Sequence, residues 1–154
     1  MEKFLEHLQE AAKNLRIVEH LAYVTMPVVK DKRLLLKIIV ETNNSMRDLI
    51  SAILQYDYLY KKINLTKDPK VNMETFLKKC APNYRIDTEE LKIILELKTL
   101  VENHKKSTME FVKEDKLVIL SENMSQRIVT IELAKQFLQA AKSILEKIRE
   151  KIKN

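Results

Sequence analysis

Glycine is absent from all 154 residues, where average usage of about 7% would place roughly 11. Turns with positive φ, phosphate-cradling loops and close backbone approaches to ligands all lean on glycine. A P-loop, a dinucleotide-binding turn and an ordinary β-barrel are therefore argued against at once. Asn is the residue expected to take any left-handed position. Cysteine occurs once, at Cys80, which excludes an intrachain disulfide and a thiolate metal cluster within one chain. Cys80 reads as a small buried hydrophobe near a helix end. His7, His20 and His104 lie far apart, none in the Glu-x-x-His arrangement of di-metal bundles, so no metal site and no cofactor are expected. There is no run of 18 apolar residues and no charged-then-apolar leader at Met1. A cytoplasmic protein without a membrane segment is the expectation.

What the chain does have is length for one domain, residues 1–154, with 45% apolar and 32% charged residues. At this size folding buries roughly 70% of the surface that the unfolded chain exposes, so a sizeable core is possible. The formal charge of +6 is uneven. Residues 26–85 carry twelve basic and six acidic side chains, whereas 1–25 balance to −1 and 86–154 to +1. A basic central region is a hint of an anionic partner, against the plainer reading of a solvated lysine-rich surface.

Apolar periodicity predicts an all-α fold: a single helical bundle of about five helices with a long central second helix, and one short β-hairpin near 117–129. Phe4, Leu8, Ala11, Leu15, Val18 and Ala22 fall on one face of a first helix that should end before Pro27. Asp31 is the expected N-cap of a second helix over about 32–63. There Leu35, Ile39, Thr42, Met46, Leu49, Ile53, Tyr56, Tyr60 and Ile63 keep a four-three spacing. Asn43, Asn44 and Ser45 mark a kink, a polar layer or plain surface within it. Asn72 is expected to cap a short helix that Pro82 ends. Asp87 with Glu90 forms a capping box for a helix over 88–103. From Thr108 to Lys113 one or two helical turns are expected, then Leu117–Leu120 paired with Ile128 and Val129 around Asn123. A last helix should run from about Ile131 to Lys151.

Two groups of residues carry possible chemistry. Arg33, Lys37, Asn44, Arg47 and Tyr58 lie on the polar back of the second helix with Ser51 and Gln55, and Lys61 and Lys62 follow. Cations pair with phosphates and an exposed tyrosine stacks on a base, so this stripe is the candidate for single-stranded RNA or a phosphate backbone. Arg16 and His20, one turn apart on the first helix, form a lesser candidate anion pair.

The helical hairpin of the first two segments, then shorter helices and a closing one, resembles the HEPN superfamily of small helical bundles. Many of these dimerise and some cut RNA. Ribonucleolytic members carry an Arg, four to six residues and a His on a late helix. The nearest match here is Lys98 with His104, five residues between them. An ammonium lacks the guanidinium fork that clamps phosphate, so the resemblance implies a non-catalytic, dimer-forming relative. The expected function is thus a non-enzymatic helical interaction and dimerisation module, a homodimer. The rivals are an RNA- or ribosome-associated protein using 26–85, and a HEPN-like ribonuclease built on Lys98 and His104.

Overall fold

The computed structural model describes residues 2–107, 109–114, 116–123 and 125–153. Its first helix, α1 (Lys3–His20), buries Phe4, Leu8, Ala11, Leu15 and Val18, the face expected from their spacing. The helix does not end before Pro27. It continues through a π-helical turn, Leu21–Thr25, into a four-residue helix α2 (Met26–Val29) that contains Pro27. Proline supplies no N–H and its ring crowds the carbonyl four residues back. In the widened turn the Met26 N–H bonds the Leu21 carbonyl instead, a local adjustment that accommodates such insults without ending a helix. The turn comes at Lys30, in the left-handed region at φ 56°.

The N-cap of the next helix is Lys32 and not the expected Asp31, which stands one residue earlier and still bonds the first turn. The Asp31 carboxylate accepts the Arg33 backbone N–H at 2.9 Å and pairs with the Arg33 guanidinium at 2.8 Å. Helix α3 (Arg33–Leu59) is the spine of the fold, about 40 Å long at 1.5 Å per residue. It packs along α1 and also meets the later helices α5 and α6. The Asn43 to Ser45 segment makes no break: Ser45 and Asn43 are buried, and Asn14 of α1 donates to Ser45 Oγ at 2.9 Å and to the Glu41 carbonyl at 3.0 Å. This is a polar layer between two helices, while Asn44 faces outward.

α3 stops at Leu59, four residues short of the expected end, through a Schellman closure. The Lys62 N–H bonds the Asp57 carbonyl at 2.9 Å and the Lys61 N–H bonds that of Tyr58 at 3.0 Å, with Lys61 at φ 59°. Ile63 folds back into the core, but Tyr60, expected in the seam, is 58% exposed. Lys30, Lys61, Arg85 and Glu114 are the positive-φ positions among the described residues, so charged side chains and not asparagines take the left-handed sites. Each costs roughly 1–2 kcal/mol relative to glycine. Three of the four are cations beyond a helix C-terminus, where the helix dipole favours positive charge.

The short helix α4 (Pro69–Thr75) is capped by Asp68, which accepts the Lys70 N–H at 3.0 Å, and not by Asn72. Asn72 instead ties the preceding loop, accepting the Thr66 N–H and donating to the Thr66 carbonyl, both at 2.9 Å. A π turn (Phe76–Cys80) and a 3-10 turn (Ala81–Tyr84) follow, so Pro82 sits inside a turn and the helical path closes at Arg85. The expected capping box is present at α5 (Thr88–Lys105). Glu90 does more than cap: its other oxygen accepts from Ser143 at 3.1 Å, and Lys147 reaches both Glu90 and the Arg85 carbonyl. The helix start is thereby bolted to α6 (Ile131–Lys153).

Between α5 and α6 the chain forms a three-stranded antiparallel sheet in the order β1 (Met109–Lys113), β2 (Lys116–Leu120), β3 (Gln126–Val129). The β2–β3 pairing matches the expected hairpin, with Leu117 opposite Val129 and Val118 opposite Ile128. The helical turn expected over 108–113 is wrong: Thr108 lies outside the described residues and 109–113 are strand. A short run of three apolar and two charged residues fits both periods, and the pairing of Phe111 with Val118 decides between them. The fold is thus mainly α with one small sheet. Leu117, Ile119 and Val129 point inward and join one core that unites all the helices.

Candidate functional site

A groove of about 450 Å³ runs between α3, α4 and α5. Its α3 wall is Asn43, Met46, Arg47, Ile50, Ser51 and Leu54, and its α5 wall is Ile94, Lys98, Val101, Glu102 and Lys105. Each set repeats at three- and four-residue steps, which puts it on one helical stripe. Each stripe extends over twelve residues, on the order of 16 Å or three turns. Pro69, Asn72 and Met73 of α4 close one side. The floor is apolar, because Met46, Ile50, Leu54, Ile94 and Val101 are core residues that show only an edge. The rim is cationic. Arg47, Lys98 and Lys105 are exposed and make no ion pair among the described residues, and neither does Glu102, which lies between the two lysines.

Arg47 and Lys98, singled out for different reasons, meet here across one groove. The rest of the α3 stripe lies elsewhere. Arg33, Lys37, Asn44 and Tyr58 are exposed along the helix back, while Lys61 and Lys62 fall beyond its end. Arg33 is held by Asp31: the hydrogen bond between them lowers the pKa of the carboxyl and raises that of the guanidinium. Lys98 and His104 do not form a joint site. His104 is off the groove and bonds Glu110 of β1 at 2.7 Å, with Ser107 donating to the same carboxylate oxygen at 2.7 Å. Arg16 and His20 border a shallow hollow with Lys13, Ile17 and Leu21. Among the described residues no group of three or more His, Cys, Asp or Glu is placed to hold a metal ion. No helix of the described residues is long and apolar enough to cross a membrane.

Sequence reasoning missed Lys105, Asn43, Asn72 and Met73 as groove residues. A signal existed on α5, where Lys98 and Lys105 stand seven apart, a heptad on one face. Also missed is a buried polar knot behind the end of α3. Asp57 and Tyr84 are each 2% exposed, and the Tyr84 hydroxyl donates to Asp57 Oδ1 at 2.9 Å. Burial first, then the Asp57 charge, pushes the Tyr84 phenol above its ordinary range. Burial likewise pushes the Cys80 thiol up to about 12, assisted by its hydrogen bond with Asp57. A thiol so placed is not a nucleophile, and its expected role as a small buried apolar residue describes its packing.

Compared with family models, with curated proteins and with solved structures, the chain matches none.

Proposed function

We propose that this protein is a non-enzymatic helical interaction module and that the groove between α3, α4 and α5 receives a segment of another protein. The observation that carries the reading is an apolar floor, open along three turns and edged by unpaired cations. Grooves between two helices accept an amphipathic segment by burying its apolar stripe. Met46 and Met73 line this one, and methionine is unbranched and adapts to differing occupants. Selection of helical peptides from a displayed library, followed by amide chemical-shift mapping, tests it. Selected binders should perturb Arg47, Ser51, Lys98 and Glu102, and Ser51→Arg should weaken them at least about ten-fold by filling the groove. If every binder maps to another face, the reading is wrong.

A second reading, homodimerisation, is favoured by a separate surface. Met109, Phe111, Leu120 and Ile128 share the outer face of the sheet, with Val118, itself buried, between them, opposite the face that joins the core. Met109 and Ile128 are 57% and 49% exposed, where an outward sheet face is ordinarily polar. Such a face suits a two-fold, self-complementary contact. Light scattering from micromolar concentration upward should give a mass rising to twice the chain mass, and Phe111→Glu should hold it at one. A mass that stays monomeric at all concentrations sinks this reading.

A further inference from the structure

We infer that the segment received by the groove is an acidic amphipathic helix of about three turns, with acidic residues seven apart facing Lys98 and Lys105 and another facing Arg47. This rests on the reading of the groove as a protein-recognition surface and names the partner's chemistry. Length comes first: walls of twelve residues on α3 and on α5 match a helix of equal extent, not a compact small molecule. Charge comes second. The groove's charged residues are three cations against Glu102, and none of the three cations is in an ion pair among the described residues. Cations left unpaired beside an apolar floor complement an anionic partner and discourage a basic one. Register comes third. Lys98, Glu102 and Lys105 alternate in sign along one stripe, so the facing edge of the bound helix should read acidic, neutral or basic, acidic. A shifted helix would set like charges together.

Fluorescein-labelled peptides of about 18 residues, long enough to be partly helical alone, provide the test. All carry one apolar stripe, with flanking positions made Glu, Gln or Lys. At low salt the Glu peptide should bind roughly ten-fold more tightly than the Gln peptide, because several rim pairs each add a modest increment. The advantage should shrink as salt screens it. Lys98→Glu with Lys105→Glu, both at exposed positions, should reverse the order and favour the Lys peptide. Equal binding of Glu and Gln peptides, abolished by Ser51→Arg, overturns the acidic partner and leaves the groove reading standing. Absence of binding by any peptide, or binding indifferent to Ser51→Arg in a variant that melts normally, overturns the groove reading itself. A single-stranded RNA oligonucleotide that outcompetes the Glu peptide overturns the inference in favour of nucleic acid.

Discussion

Tyr84→Phe should destabilise the protein by about 2–3 kcal/mol, a large loss for the removal of one oxygen atom. A hydrogen bond to a charged partner contributes roughly 1.5–3 kcal/mol, and a buried acceptor left without it bears its desolvation cost. Asp57 lies near the end of α3 at 2% exposure, too deep for water to replace the phenol. The ring itself is retained, so packing of the 3-10 turn over α3 changes little. Denaturation in urea measures the loss as a lower midpoint at unchanged slope. A further comparison separates the bond from the burial: adding Asp57→Leu to Tyr84→Phe should recover much of the stability, because an apolar pair leaves no orphaned acceptor. A Tyr84→Phe midpoint equal to that of the parent would show that the knot contributes nothing.

The same knot shows why some of this molecule was legible in its sequence and some was not. The apolar stripes of α1 and α6, that of α3 up to Tyr56, and the Asp87–Glu90 capping box are local patterns, and they fold as read. Asp57 gave no such signal. It is buried because the turn from Phe76 to Tyr84 folds across α3, a contact between segments that no periodicity encodes. Helix ends were misplaced for a different reason. Without glycine the usual stop signal is missing, and Lys30, Lys61 and Arg85 do its work while resembling ordinary solvated cations. Pro27 misled in the opposite sense, since a π turn absorbs it. For the candidate site, Arg47 was visible on the polar back of the second helix and Lys98 as the nearest match to a nuclease motif. Only the tertiary approach of α5 to α3 makes them two sides of one groove.

Alkaline pH should destabilise the protein through Cys80, and in a direction fixed by its neutral buried form. Both the thiol and the neighbouring Tyr84 phenol are uncharged when protonated, and the fold raises the pKa of each, chiefly by burial. Below the thiol's ordinary value of 9.0 the folded and unfolded chains bind the same proton, and the stabilisation is fully present. Between 9.0 and about 12 the unfolded chain releases that proton while the folded chain keeps it, so stability falls as pH rises. At about 1.36 kcal/mol per unit, the loss from Cys80 at pH ~10.5 is on the order of 2 kcal/mol. Comparison with Cys80→Ala removes every effect of alkali that the two proteins share. The variant should be less stable than the parent by about 1 kcal/mol near neutrality, where it leaves a small cavity. Near pH 10.5 the order should reverse, because alanine has no proton to lose. Urea midpoints at the two pH values measure the crossing. A gap between parent and variant that does not change with pH would mean that the thiol ionises as readily in the fold as in the unfolded chain, and that the closure of the 76–84 segment over α3 admits water.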